Sequence, residues 1–380
     1  MDFELPEHAR DLRRTVRDFC EREVRAQARD WDRTGEFPRE TVRKLGQLGM
    51  LGLALPEEYG GAALDLISIA TVVEEIARWD GSLALTVASH NGLCSGHLKT
   101  FGNEAQRQQY LPRLATGEAL GAWGLTEPGS GSDAAALRTT AVRTGDRWIL
   151  NGTKTFITQG SVGDIFVVLA SSNAEKRQKG ITAFVLERGL PGFSQKAIHG
   201  KLGMRSSDTA ELIFENVELP DSARVGEVDH GFLDTLAILD RGRVSIAALA
   251  LGLGRGALEQ ATRYAKDRQA FGRPIAGFQA IQWMLADMAT EQAAGRALTY
   301  RAAELCDQGR RFSREASMAK LFAAQAAMRG CVKAVQIHGG YGYTDEFPVE
   351  RFLRDAKLCE IGEGTNEVQR LVIAREILKG

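Results

Sequence analysis

Cysteine is scarce in this chain of 380 residues. Cys20, Cys94, Cys306, Cys331 and Cys359 are odd in number, scattered, and form no C-x-x-C pair. That argues against a disulfide framework and a zinc site, and favours a reducing compartment. The six histidines are dispersed too. His90 and His97 could share a helix face, but no carboxylate or cysteine completes a ligand set, so no metal is expected. Charge of one sign is also lacking: the formal net charge of -1 offers nothing to nucleic acid or an anionic membrane. No apolar run reaches membrane-spanning length. The start, with Asp2, Glu4 and Glu7, is unlike a signal or transit peptide. The expected location is a bacterial cytoplasm, or a mitochondrial matrix for a processed eukaryotic form. Internal repeats and low-complexity tracts are absent.

What is present is the composition of a soluble globular protein, 44% hydrophobic and 26% charged, too long for one ordinary core. The arginines between Arg10 and Arg25 are interleaved with acids around a helical stripe of Leu12, Val16, Phe19 and Val24, which marks a solvated face. Residues 1–120 read as helical, with Val42, Leu45, Leu48 and Leu51 at helix spacing, then a helix from Ile67 to Trp79 and a largely apolar one from Ser82 to Phe101. Residues 121–231 change period. Short strand-like runs there are separated by turn signals such as Thr144-Gly145-Asp146 and Pro191-Gly192, predicting a β-sandwich or barrel. Residues 232–380 return to long helices near 232–266, 275–306 and 313–337. An α, then β, then α order defines a multidomain α+β protein and excludes a doubly wound sheet.

Several segments carry chemistry. Gly124-Leu125-Thr126-Glu127-Pro128-Gly129-Ser130-Gly131-Ser132-Asp133 packs hydroxyls and bare amides into a loop suited to phosphate or polar ring edges. It could equally be a surface connection, and it lacks the Lys of a P-loop. Gly252 to Ala257 has dinucleotide-fingerprint spacing but lies in a helical pattern, where small residues serve close packing. Arg268 could pair with a pyrophosphate, although an ordinary solvated turn fits as well. His338 to Tyr343 combines three glycines with two tyrosines, as a backbone laid against a flat or anionic ligand would. Gly362-Glu363-Gly364 precedes a helix from about Asn366 to Leu378, with Thr365 as its N-cap. Glu363 is either a solvated neighbour of that cap or a base on a rigid ledge.

Leu125 to Asp133, Arg268 to Pro274, Gln336 to Tyr343 and Ile361 to Arg370, in this order, resemble the motifs of the acyl-CoA dehydrogenase family. The resemblance spans nearly the whole chain. It implies a helical N-terminal domain, a central β domain and a C-terminal four-helix bundle. It implies FAD lined by Trp123, Leu125, Thr126, Gly131, Ser132, Phe156, Ile157 and Thr158. Arg268, Phe271, Gln279, Gln336, Ile337, Gly339 and Gly340 would reach the FAD of a neighbouring subunit in a homotetramer, and Thr365 and Glu367 would touch FAD again. Ser132, Asp240, Arg243 and Gly364 are the implied acyl-CoA contacts. Glu363 falls on the catalytic base, which would take the α-proton while the β-hydride passes to flavin N5 and the electrons leave to an electron-transfer flavoprotein.

Departures qualify the match. Phe156 stands where many members have Trp, and Gly362 where Tyr is common, leaving space for α-branching. Gly242 occupies the position of the base in long-chain and isovaleryl-type branches. No arginine lies between Arg78 and Arg107 to hold a glutaryl carboxylate. An acyl-CoA oxidase, a dehydrogenase of carrier-protein-bound acyl groups, and a non-enzymatic assembly protein share the fold as alternatives.

Overall fold

A computed structural model describes residues 5–379; the acidic Asp2 and Glu4 lie outside the described residues. Seven helices open the chain: α1 Glu7–Glu23, α2 Ala28–Thr34, α3 Arg39–Gln47, α4 Leu66–Ala77, α5 Gly81–Ser89, α6 Gly96–Phe101 and α7 Glu104–Thr116. Asp65 caps α4 by accepting from the Ser68 N–H, and Asp80 caps α5 through Leu83. The stretch expected as one helix from Ser82 to Phe101 is interrupted by a π-helical turn at His90–Ser95. Leu48, placed in the apolar stripe, lies past the end of α3 and is exposed.

The sheet region contains β1 Gly121–Gly124, β2 Thr140–Thr144, β3 Arg147–Thr158, β4 Ile165–Ser171, β5 Ile181–Glu187, β6 Phe193–Ala197, β7 Thr209–Pro220 and β8 Arg224–Val225. They run β6-β7-β3-β2-β4-β5-β8, with β1 parallel to β4. β4 explains the arrangement. Ile165, Val167 and Leu169 face one core with Trp123, Leu125 and Leu111; Phe166, Val168 and Ala170 face another with Trp148, Leu150, Leu212 and Phe214. A strand covered on both faces must be apolar throughout, which is why Ile165–Ser171 shows no alternation. Strands from both halves of this single sheet contribute side chains to the second core.

The chain closes with α8 Gly231–Asp267, the two-residue strands β9 Gln269–Ala270 and β10 Arg273–Pro274, α9 Gln279–Asp307, α10 Ser313–His338, α11 Val349–Cys359 and α12 Asn366–Leu378. The segment between α8 and α9, expected as a plain turn, is this small hairpin. The glycines of α8 serve helix packing. A Cβ on Gly252 would lie 2.3 Å from the Glu74 carbonyl oxygen, and one on Gly256 2.4 Å from that of Arg78. One core runs from Val16 in α1 through α4 and α8 to Cys359 in α11, so the first and last helical segments pack as one body. Across their junction the buried Glu75 carboxylate receives Arg13, Arg17, Arg78 and Arg255, each within 3.0 Å. All five cysteines are free and buried.

Candidate active site

Glu363 lies in the turn between α11 and α12. Thr365 ends that turn as expected, its Oγ1 accepting from the Val368 N–H that opens α12. Glu363 itself adopts φ +52°, a left-handed conformation that a non-glycine residue holds only when its surroundings impose it, and Gly364 follows at φ +90°. Two buried side chains impose it. Lys320 Nζ and Gln369 Nε2 each donate to the Gly364 carbonyl at 2.8 Å. As a residue Glu363 keeps partial exposure, but its Oε2 is sealed from solvent and has no hydrogen-bond partner. Burial pushes its pKa up to about 7, against the opposing pull of Lys320 and Arg243. The carboxylate is therefore a desolvated, unpaired proton acceptor poised near neutrality, not a solvated neighbour of a cap.

Gly242 of α8 makes room for it. A Cβ there would stand 1.9 Å from Glu363 Oε2. On the same helix Arg243 pairs with Asp240 at 2.5 Å; Asp240 also accepts from Ser313, and the buried Arg243 Nε has no partner. Four of the expected residues, Asp240, Arg243, Glu363 and Gly364, thus meet where α8, α10 and the turn converge.

The glycine-rich loop is built on a buried ion pair. Lys154 of β3, with no solvent exposure, donates to Glu127 Oε1 at 2.7 Å and to the Leu125 carbonyl at 3.1 Å. Glu127 also accepts from the Arg138 and Thr139 N–H groups. Burial would raise the Glu127 pKa; the Lys154 charge and these bonds hold it below its ordinary value. Thr126 accepts from the Thr155 N–H at 2.8 Å, tying the loop to the end of β3. There a register shift between Lys154 and Ile157 puts Phe156 at φ +58° and turns it outward, 67% exposed, while Ile157 stays buried. Trp123 is fixed by its Nε1–H to His97 Nδ1 at 3.3 Å; burial drives the His97 pKa down to about 3, so the acceptor nitrogen stays neutral. Gly131 and Ser132 are exposed on the loop. Ser132 forms no hydrogen bond with Asp240 or Arg243 among the described residues. Ile238 of α8 packs in one cluster with Trp123 and Leu125, one helical turn before Gly242, and so brings loop and carboxylate together.

The remaining expected residues sit elsewhere. Arg268 at the end of α8 lies over the Tyr341 ring at 5.7 Å, joining the β9–β10 hairpin to the turn after α10. Phe271 is 95% exposed at φ +52°, and Gln279, Gln336, Gly339 and Gly340 are exposed as well, whereas Ile337 is buried. Nothing lies within 4 Å of a Cβ built on Gly339 or Gly340. From Gly242 to Arg268 α8 rises about 39 Å, so this cluster lies at the C-terminal end of the helix, far from Glu363. Thr365 and Glu367 flank the Glu363 end.

Lys154, Lys320 and Gln369 were not singled out from the sequence. A signal existed for the lysines. Lys154 shares the inward parity of Trp148 and Leu150, and Lys320 lies on the buried stripe of Ala316, Ala319 and Ala323. A buried lysine requires a built partner.

An exposed glycine-rich loop, the Arg268 guanidinium above an aromatic ring and a desolvated carboxylate are features that could hold a flat or anionic cofactor and accept a proton. Comparison with known proteins is specific. Residues 6–118, 122–217 and 229–378 match the N-terminal, middle and C-terminal domains of acyl-CoA dehydrogenase. The short-chain specific acyl-CoA dehydrogenase of Clostridium acetobutylicum is 45% identical over 379 residues, all of both chains. Butyryl-CoA dehydrogenase from Megasphaera elsdenii superposes over all of both chains with a TM-score of 0.97 at 41% identity. A chain from a structure of the electron transferring flavoprotein of Acidaminococcus fermentans does so with a TM-score of 0.98 at 44% identity. The chain belongs to the acyl-CoA dehydrogenase family. It is an oxidoreductase, and its cofactor is FAD. The residues present fit that group. Gly129, Gly131, Gly339 and Gly340 leave open space where a Cβ would stand, and Arg268 has no carboxylate partner among the described residues.

Proposed function

We propose that this chain dehydrogenates a short acyl-CoA thioester between Cα and Cβ to the trans-2-enoyl-CoA, with Glu363 as the α-proton base. The observation that carries this reading is the buried, unpartnered Oε2 of Glu363 beside Gly242. An α C–H next to a thioester is a weak acid, so its base must be desolvated and its carbonyl oxygen held by donors. The backbone N–H of Glu363 is the donor this chain offers, on a turn fixed by Lys320 and Gln369. Thr126, Ser132 and the amides from Leu125 to Gly131 would hold the flavin ring, with Trp123, Phe156, Ile157 and Thr158 packed about it. When bound, FAD accepts the two electrons that leave with the β-hydrogen. Asp240, Arg243 and Gly364 would line the thioester approach, and Thr365 and Glu367 the edge of the cofactor.

The separation along α8 supports an oligomer. Arg268 lies about 39 Å along α8 from Gly242 and Gln336 about 24 Å along α10 from Lys320, too far to reach the same flavin ring, so Arg268, Phe271, Gln279 and Gln336 to Gly340 would hold the FAD of a neighbouring subunit. Exposed Phe271, Trp283, Val332 and Tyr343 give such an interface apolar area. We propose a homotetramer that passes electrons to an electron-transfer flavoprotein. The relatives described as short-chain specific and butyryl-CoA dehydrogenases support a short acyl chain.

The test uses purified holoenzyme, its visible spectrum, and anaerobic bleaching by a panel of acyl-CoA thioesters. Bleaching by butyryl-CoA is expected, with Glu363→Gln reducing its rate by about 1000-fold. A Glu363→Gln enzyme that bleached at the wild-type rate would refute the assignment of the base. Rapid reoxidation by air would favour an oxidase, and Arg268→Ala losing both FAD and assembly would support the shared site.

A further inference from the structure

Lys320 is a buried cation beside the proposed base, and its part so far is only to hold the turn that carries it. It reaches from the middle of α10 to donate to the Gly364 carbonyl at 2.8 Å, with Asn366 Oδ1 at 3.4 Å. That carbonyl belongs to the second of two consecutive left-handed residues, the first being Glu363. The turn has few other restraints on this side. Gln369 Nε2 shares the same carbonyl, and the Asn366 N–H donates to the Glu360 carbonyl at 3.0 Å. A lysine without solvent exposure is retained only where its bonds outweigh desolvation.

We propose that Lys320 is a positioning residue for the dehydrogenation, its ammonium clamping the Gly364 carbonyl so that Glu363 stays in its left-handed conformation with its carboxylate facing a positive charge. This rests on the reading of Glu363 as the base. The clamp acts in two separable ways. Its hydrogen bond fixes the turn, and its positive charge opposes the desolvation of the carboxylate. The other charged groups around the site are Arg243 and Asp240 from α8, Glu360 after α11, and Glu367, Arg375 and Glu376 from α12. Of these only Arg243 acts with Lys320 directly on Glu363, and it is already paired with Asp240. Burial draws the Lys320 pKa down to about 8, while Cys359, Glu363 and Glu360 favour its charged form. The ammonium is therefore retained where a base with a pKa of about 7 begins to work.

The two effects separate in two variants of the holoenzyme. Lys320→Met removes bond and charge; Lys320→Gln keeps an N–H donor and removes the charge. Anaerobic bleaching by butyryl-CoA is followed by stopped flow across neutral pH, alongside FAD content and enoyl-CoA product affinity. Lys320→Met should lower the limiting rate about 100-fold and move the acid limb of its pH profile up by about one unit, with product affinity unchanged. Lys320→Gln should regain part of the rate yet keep the shifted limb. Wild-type rates and an unmoved limb in both variants would overturn the proposal. If Lys320→Met loses FAD, Lys320→Gln alone decides, and an unmoved limb there is fatal to it. A Glu363→Gln enzyme that bleaches normally would instead remove the base assignment on which the proposal rests.

Discussion

Replacing Gly242 by alanine separates catalytic geometry from stability. The added methyl would lie 1.9 Å from Glu363 Oε2, 2.9 Å from Cδ and 3.4 Å from Oε1. Contacts under 3.0 Å are essentially never seen for a real Cβ, so one party has to move by about 1 Å. The backbone of α8 is held along its length by α4 and α10, whereas the carboxylate is the free end of a side chain without a hydrogen-bond partner at Oε2. The carboxylate therefore yields. Stability should change little, because alanine in a helix interior gains about 1 kcal/mol over glycine and offsets the local repacking. A shift in Tm within about 2 °C is expected. The rate should not be spared, since a misplacement of about 1 Å at a reacting group costs on the order of 100-fold. The assay is anaerobic flavin bleaching by saturating butyryl-CoA, with FAD content and thermal unfolding measured on the same preparations. Gly362→Ala is the control. Its Cβ would meet nothing closer than the Leu358 carbonyl oxygen at 3.4 Å, so near-normal bleaching is expected. A Gly242→Ala enzyme within about threefold of the wild-type rate, against the ~100-fold expected, would refute the placement of the working carboxylate beside α8.

Four further outcomes rest on the same contacts. The pH profile of bleaching should rise through about pH 7, where the raised Glu363 pKa puts the onset of the ionised form. The sign for stability is opposite. A carboxyl whose folded pKa exceeds its unfolded 4.5 costs nothing below that pH and destabilises progressively up to about 7, so Glu363→Gln should be more stable by about 1–3 kcal/mol at pH 8 and no more stable at pH 4. Lys154→Met would strand the Glu127 carboxylate, costing about 3–5 kcal/mol and releasing FAD; denaturant unfolding and the visible spectrum report the two effects. Gly362→Tyr should fold, and should lower the preference for 2-methyl-branched over straight-chain thioesters by about tenfold in kcat/KM. An unchanged ratio would mean that Gly362 does not border the α-carbon.

Much of the architecture was legible because period changes are coarse signals. The long helices near 232–266, 275–306 and 313–337 emerged as α8, α9 and α10 within a few residues, and the cap at Thr365 emerged where its hydroxyl and the apolar run after it placed it. The small-residue reading of Gly252 to Ala257 holds, because α4 backbone atoms occupy the space a side chain would need. The interruption at His90–Ser95 was not legible: a π-turn in an entirely buried apolar segment leaves the spacing of hydrophobic residues nearly intact. Nor was the hairpin after α8, whose strands are two residues each and too short to show alternation. Glu363 stood out by its flanking glycines, but its burial depends on Gly242, more than a hundred residues earlier. The lysines were harder still. Charge on a helix or strand reads as solvent-facing unless its parity is compared with the apolar positions, and Lys154 and Lys320 fail only that comparison.

The convergence of positions 242 and 363 carries a structural rule. A Cβ on α8 at 242 and the carboxylate oxygen from 363 compete for one volume, 1.9 Å apart. A carboxylate carried by α8 would need no left-handed residue, because helix geometry alone would aim it. A carboxylate carried by the turn needs φ +52° at Glu363, a conformation costing about 1–2 kcal/mol for an L-residue, together with the donors that hold Gly364. These are two complete solutions, and half of one combined with half of the other fails. A bulky residue at 242 with Glu363 retained would expel the carboxylate, whereas glycine at both positions would leave Lys320 and Gln369 clamping an empty turn. This chain has the whole of the second solution: glycine on the helix, glutamate on the turn, and the two buried donors beneath it.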